Sequence, residues 1–281
     1  MTGETEQQYE LAVSTSPMRL APDNNAECSN ECLFGERLLH SPLRPENTTT
    51  AHPLSGQTSR PEDKQDVWIH VVALRDNYAG YIQKKHLQAI DAETADFTHW
   101  VVSRSTLVFS EASIKSPVLR RLPFLSKTTS QNNSPSPFLR LHSGGFVWSQ
   151  HLRQVGEAVK LNPVELALSH FLGAPYLWGG CTPEGVDCSG LVQALAQAKG
   201  IDIPRDSGDQ EAALPHSVQF DARLPQDIVY WPGHTGILID THTLLHATAH
   251  SLSCVIEPLD AVVQRAGEIS SIKRLFTPKS L

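Results

Sequence analysis

Cys188 opens the stretch of this chain that is densest in chemistry. It stands in Gly185-Val186-Asp187-Cys188-Ser189-Gly190-Leu191-Val192, where a polar loop gives way to apolar residues at helical spacing. That pattern predicts a helix from about Cys188 to Lys199 with the cysteine in its first turn. Unpaired backbone N–H groups and the positive end of the helix dipole favour a thiolate there. The Cys188 backbone N–H can also face a developing oxyanion. His234, in Pro232-Gly233-His234-Thr235-Gly236-Ile237, opens an apolar strand-like run, and His246, in Leu244-Leu245-His246-Ala247, lies in the next, 12 residues on. A short turn at Asp240-Thr241-His242 would put both on one face of an antiparallel pair. One imidazole would then accept the thiol proton while the other orients it, the division of labour of a nucleophilic triad. A helix-start cysteine alone reads as well as a structural residue, and a lone strand histidine as a core or surface one. The three together point to hydrolysis.

Further residues stand around these at suggestive spacings: Pro175-Tyr176-Leu177-Trp178-Gly179-Gly180, then Asp187-Cys188-Ser189-Gly190-Leu191, then Pro204-Arg205-Asp206-Ser207 with Gln210. In this order, and with the two histidines, residues 160–255 resemble the NlpC/P60 family of cysteine peptidases, which have a papain-like core and cleave bacterial cell-wall peptides. The resemblance implies Cys188 as nucleophile, His234 as general base and His246 as its orienting partner. It implies Tyr176 on the oxyanion side of a cleft and Trp178 as a wall. Asp187 and Ser189 would flank the nucleophile on the acyl side, with Asp187 able to pair with a substrate ammonium. Asp206 and Ser207 would bond a γ-D-glutamyl unit, Ser207 being the better partner for its α-carboxylate. Trp178 also reads as core, Gly179-Gly180 as a plain turn and Arg205 as a structural ion-pair residue. The reaction needs no cofactor and no metal.

The elements that must position this site begin at Asn162-Pro163, an N-cap followed by proline at the first helical position. The predicted order is a helix through Val164–Leu172 with His170 at its edge, the Cys188 helix, then strands over Asp227–Trp231, Thr235–Asp240 and Thr243–Ala247. Helix, nucleophile helix and antiparallel strands make an α+β order. Upstream lie two β-rich blocks, about 28–92 and 97–153. The first holds Trp68–Val72 and Tyr78–Ile82. The second holds His99–Val102, Thr106–Phe109, Phe138–Leu141 and Phe146–Trp148. Each ends in a Gly-aromatic strand and a leucine-bearing turn, a weak internal repeat. Residues 1–27 read as polar and unstructured, with Leu11-Ala12-Val13 as an edge strand at most. About 42–65 and 126–137 read as loops. The blocks resemble the bacterial SH3-like modules that precede the peptidase in one subgroup, through Asp76-Asn77-Tyr78-Ala79-Gly80-Tyr81-Ile82 and Gly144-Gly145-Phe146-Val147-Trp148. The expected fold is thus a papain-like α+β hydrolase domain over 160–281 behind two small SH3-like barrels.

Composition sets the limits. The chain has 281 residues, 40% of them hydrophobic and 19% charged, a soluble globular balance with room for about two domains or more. A net charge of −7 offers no general attraction for nucleic acid or an anionic membrane surface. The five cysteines are unevenly spaced; Cys28 and Cys32 form a lone C-x3-C pair, read as free thiols in a turn, and Cys181 and Cys254 as packing residues. The acidic N-terminus lacks a secretory apolar segment, which places the protein in the cytoplasm. The subgroup resemblance implies a γ-D-glutamyl-L-diamino-acid endopeptidase that recycles murein peptides with a free N-terminal L-Ala. Tyr78 and Glu36 of the first block would complete the ammonium pocket. The competing readings are an exported wall-lytic hydrolase and an inactive hydrolase fold that binds peptides through its SH3-like modules.

Overall fold

The computed structural model describes residues 7–41, 67–91, 93–131, 137–157 and 159–276, so the polar stretch expected as a loop over about 42–65 lies outside the described residues. The first β unit holds β1 (Gln8–Leu11), β2 (Thr15–Arg19), β3 (Cys28–Leu33), β4 (Arg37–His40), β5 (Trp68–Ala73), β6 (Ala79–Gln83) and β7 (Leu87–Ile90). They form one sheet in the order β3-β2-β6-β5-β4-β1-β7. Buried and half-buried residues alternate along β2 and β5, as a sheet with one covered face requires. The expectation of an unstructured N-terminal segment is overturned for residues 7–27, residues 1–6 lying outside the described ones. The β1 strand lies between β4 and β7, and Leu11 and Met18 are fully buried in the unit's core. Two apolar residues spaced among polar ones give too little periodicity to announce a strand; pairing across 80 positions of chain makes it. Cys28 and Cys32 lie on β3, not in a turn.

The second unit holds β8 (His99–Val101), β9 (Ser105–Phe109), β10 (Val118–Pro123), β11 (Lys127–Thr128), β12 (Ser130–Gln131), β13 (Phe138–Leu141), β14 (Phe146–Trp148) and β15 (Leu152–Gln154), in two sheets, β10-β9-β14-β13-β12 and β11-β8-β15. Where 126–137 was expected to be loop, β11 and β12 pair with β8 and β13, and 132–136 lie outside the described residues. The polar run is strand because its backbone completes the sheet edges, not because its side chains are apolar.

The two units repeat one backbone plan. Ala12 N–H donates to the His86 carbonyl and Val102 N–H to that of His151, both at 2.9 Å; Phe34 N–H reaches Ser14 and Phe124 N–H reaches Arg104. The pairings β2–β3 and β9–β10 even share a bulge at the same place, past Met18 and past Val108. Gly80 and Gly145 occupy equivalent sites, where an added Cβ would strike Met18 and Val108 respectively.

The last unit begins with α1 (Pro163–Leu166), whose N-terminus is closed by a reciprocal capping box between Asn162 and Glu165 and which runs on as a π-helical turn over Ala167–Phe171. A small hairpin, β16 (Cys181–Thr182) with β17 (Gly185–Val186), leads into α2 (Cys188–Ala198). Then come α3 (Ser207–Ala213) and a sheet of β18 (Ile228–Trp231), β19 (His234–Leu238), β20 (Thr243–Thr248), β21 (Ser253–Pro258) and β22 (Ser271–Lys273), in the order β21-β20-β19-β18-β22, with α4 (Leu259–Ala266) after β21. Strand runs without alternation, such as Ile228-Val229-Tyr230-Trp231, are explained by burial on both faces: Ile228, Tyr230, Ile237 and Leu245 share a core with α2, and Val229, Trp231, Leu238 and Leu244 share one with α4. His170 is not at an edge. It is buried, with Nε2 3.0 Å from the Val102 carbonyl and its ring 4.7 Å from that of Phe124. Among the described residues no helix is long and apolar enough to cross a membrane.

Candidate active site

Asp187 caps α2: its Oδ1 accepts from Gly190 N–H at 2.7 Å, which fixes the first turn and places Cys188 at its start. The same carboxylate accepts from Gly179 N–H at 2.8 Å and from both terminal nitrogens of Arg205, at 2.9 and 2.5 Å. Arg205 is 2% exposed and also donates to Ser189 Oγ, the Gly180 carbonyl and Asn30 Oδ1. This corrects the expectation for Asp187 and Ser189. Both are buried beside Cys188 and saturated by Arg205, so neither presents a free acceptor to a ligand's ammonium. Arg205 is the structural ion-pair residue, a paired and fully bonded buried charge. Glycine at 190 is required by close approach: a Cβ there would lie 2.2 Å from the Gly180 carbonyl oxygen.

The Cys188 sulfur is 6% exposed as part of its residue and receives backbone N–H bonds from Ser189 and from Thr235, the neighbour of His234. Burial, with the Asp187 carboxylate, pushes its thiol up to about 11, against the expectation that a helix start alone would hold a thiolate. The sulfur therefore rests protonated at neutral pH and needs a base. Two imidazoles supply the means. His234 Nε2 lies 2.7 Å from His246 Nδ1, across the β19–β20 pair, where a Cβ on Gly236 would crowd His246 at 2.8 Å. Burial, followed by the neighbouring His246, holds His234 down to about 4, so its ring is neutral and able to accept. His246 is fully buried and likewise lowered, chiefly by burial.

Sequence reasoning missed two residues that continue this row. His246 Nε2 is 2.8 Å from Glu257 Oε2 on β21, and Arg265 of α4 grips both oxygens of Glu257 at 3.0 and 2.7 Å. The available signal was an acid 11 residues beyond His246 on the next strand; without the register it could not be told from any surface glutamate.

Tyr176 is part-buried beside Cys188 and Asp187, and burial raises its phenol well above the usual range, so it remains a donor. Trp178 is 58% exposed; it is not core, and its indole N–H donates to Glu27 Oε1 at 2.8 Å. Asp206 and Ser207 start α3, and Asp206 interacts with the Tyr78 hydroxyl of the first unit; burial raises both groups. Gln210 ties α3 to α2 by donating to the Ser189 carbonyl. Sequence reasoning also missed β3 as a wall: besides Glu27, Glu31 accepts from Cys181 N–H at 3.3 Å and Asn30 from Arg205 at 2.9 Å.

Glu36 is corrected. It does not reach this end of α2. It is buried, takes the Leu33 N–H at 3.0 Å, pairs with Arg75 at 3.4 Å, and lines a cavity of about 260 Å³ against Gln197–Gly200, at the end of α2 opposite Cys188. Its position after Gly35 turns the side chain inward, because the turn buries the carboxylate under Arg75. Among the described residues no group of three or more His, Cys, Asp or Glu is arranged to hold a metal ion.

Residues 173–266 match the model of the NlpC/P60 family. The chain is 28% identical over 218 residues to a dipeptidyl-peptidase 6 of Lysinibacillus sphaericus, covering 71% of this chain and 79% of that one. It is 28% identical over 246 residues to a gamma-D-glutamyl-L-lysine dipeptidyl-peptidase of Bacillus cereus, covering 76% and 72%. A crystal structure of an NlpC/P60 family protein from Bacillus cereus shares the fold, with a TM-score of 0.74 at 16% identity over 95% of this chain and 99% of that one. A buried helix-start cysteine and a bonded histidine pair thus lie inside the stretch, residues 173–266, that carries the match to the NlpC/P60 family.

Proposed function

We propose that the chain hydrolyses the amide between γ-D-glutamate and the following diamino acid in short murein peptides that carry a free N-terminal L-Ala. Cys188 is the nucleophile. As its sulfur attacks the carbonyl carbon, the thiol proton passes to Nδ1 of His234, and the imidazolium keeps its Nε2–H toward His246. The proton then goes to the leaving amine, and water releases the acyl group by the reverse path. The Cys188 backbone N–H and the neutral Tyr176 phenol stabilise the oxyanion. The observation that carries this reading is the Cys188 sulfur at the first turn of α2, bonded by the backbone next to a His234 that is itself held by His246 at 2.7 Å.

The substrate rests on the far wall. On this reading the β units over 8–90 and 99–154 are SH3-like modules. The first shortens the cleft through Tyr78 against Asp206 and Glu27 against Trp178. With Asp187 and Ser189 sealed, the ammonium falls to the groups at that wall, and Asp206 and Ser207 at the start of α3 face the γ-D-glutamyl unit. The name of the Bacillus cereus relative supports the bond chosen. The test is digestion of a defined set of muropeptides, with products read by mass spectrometry. L-Ala-γ-D-Glu-diamino-acid peptides should be cleaved and their N-acetylated or muramyl-linked forms should be nearly inert, since burying an unpaired or missing charge costs several kcal/mol. Equal rates on free and blocked peptides would refute the closed-end reading and favour action on intact wall strands.

A further inference from the structure

We propose that Glu257, clamped by Arg265, is a positioning residue that sets the protonation pattern of both histidines and thereby decides which nitrogen of His234 is free to take a proton. This deepens the reading above and rests on it for His234 as the base.

The argument runs along the row of hydrogen bonds from its outer end. A carboxylate can only accept. Glu257 is kept ionised because Arg265 forks it with two charge-assisted bonds, which holds it down to about 2. The Nε2 of His246, 2.8 Å away, must therefore carry hydrogen. His246 is fully buried and neutral, so its Nδ1 carries the lone pair. That nitrogen lies 2.7 Å from Nε2 of His234, which must then donate. A neutral His234 with hydrogen on Nε2 has its lone pair on Nδ1. One carboxylate thus determines the tautomers of two rings in series.

Register explains why it can. His246 lies opposite Val255 on β21, and Glu257, two residues on, is on the same face and diagonal to it. The chain turns into α4 at Leu259 and returns Arg265 over that face. The charged and titratable groups facing the histidine pair are Glu257 from β21 and Arg265 from α4, with the Cys188 thiol of α2 beside the start of β19. Arg265 has a part of its own. An uncompensated carboxylate would draw a second proton onto His246. The resulting Nδ1–H would force His234 Nε2 to accept and move the His234 hydrogen to Nδ1, which abolishes the base.

The test uses the full chain labelled with nitrogen-15 histidine. At neutral pH the wild-type rings of His234 and His246, assigned with His234→Ala and His246→Asn, should both show the Nε2–H tautomer. Glu257→Leu should give mixed tautomers and lower kcat about 10- to 100-fold with KM changed less than about twofold, as expected for a group acting through the base. Glu257→Gln should recover most of the loss, because its amide oxygen accepts the same bond. Arg265→Gln should move the acid limb of the pH–rate profile upward. An Nδ1–H tautomer on wild-type His246, wild-type kcat in Glu257→Leu, or a glutamine variant no better than leucine would each overturn the proposal. The tautomer arm needs no substrate, so a chain that cleaves none of the muropeptides refutes the proposed activity while the ring resonances still decide this one.

Discussion

The two β units share a backbone plan and serve different ends. Equivalent loops place Phe34 in the first and Phe124 in the second, and each ring is buried in the unit that follows in the chain: Phe34 in the core of the second β unit, Phe124 in the core of the peptidase domain against His170 and Phe171. Even the backbone is shared, since Gly35 and Leu125 both adopt positive φ, 79° and 70°. The units part company in two places. The first hairpin has eight residues between the paired Val71 and Gly80, against three between Leu141 and Gly145, and the extra length carries Arg75, Asp76 and Tyr78. The first unit has Glu27 just before β3 and Asn30 and Glu31 within it, where the second has Pro117 just before β10 and Arg120 and Arg121 within it. A common frame thus docks by the same aromatic plug, while side chains and one longer turn decide which copy meets the Cys188 end of α2.

The comparison presumes that the chemistry lies at that end. Cys188→Ala should therefore lower kcat on the order of 10⁴-fold or more while the melting temperature stays put; retained turnover would move the reaction elsewhere and empty the comparison of meaning. The plug itself is tested by Phe124→Ala, which should destabilise the protein by about 3–5 kcal/mol in denaturant titration, with Phe34→Ala costing a similar amount. A silent Phe124→Ala would break the proposed handover from unit to unit.

Acid sharpens the contrast between the buried histidine pair, His234 and His246, and the rest. Both His234 and His246 are lowered in the folded chain, so below the ordinary 6.5 the unfolded chain binds more protons. Their contribution to stability should be full above about pH 6.5 and fall as pH drops toward about 4, and kcat/KM should hold until His234 protonates near that lower value. A His234→Ala variant should lose part of this acid sensitivity; an acid profile identical to wild type would remove His234 as its source.

Smaller effects distinguish the copies directly. Tyr78→Phe should reduce kcat/KM on free-terminus peptides about tenfold, the scale of one lost polar contact to a substrate, whereas Ser143→Ala in the short turn of the second unit should stay within about twofold. If both variants behave alike, the longer hairpin does not account for the difference. Least of all, Ser16→Ala and Thr106→Val remove equivalent bonds to His86 and His151, at 2.8 and 2.9 Å, and should each cost about 1 kcal/mol. Unequal costs would argue against a shared plan.

Much of the site was legible because its signals are local. A polar loop giving way to apolar residues at helical spacing marks a helix start at Cys188, and two apolar runs with a short turn between them mark a hairpin that can pair His234 with His246. The β units were legible only where alternation is dense, as in Trp68–Ala73; the sparse Gln8–Leu11 and the polar Lys127–Thr128 became strands through partners far along the chain. Asp187 shows the limit at one residue. Its place before the nucleophile suggested a ligand-facing acid, whereas Arg205 and two backbone N–H groups consume it. Glu36 shows the same, drawn under Arg75 instead of into the cleft.

The order of residues along the chain alone determined that a cysteine would begin a helix and that two histidines would lie on adjacent strands, because helix starts and hairpins depend on neighbours within a few positions. Tertiary structure decided everything that depends on distance in space. It lifted the Cys188 thiol by burial, joined Glu257 and Arg265 to the histidine pair, hid Asp187 and Ser189, and brought Glu27, Asn30 and Tyr78 to the far wall. Desolvation and hydrogen bonding act over a few ångströms, and those few ångströms here separate residues up to 175 positions apart in sequence.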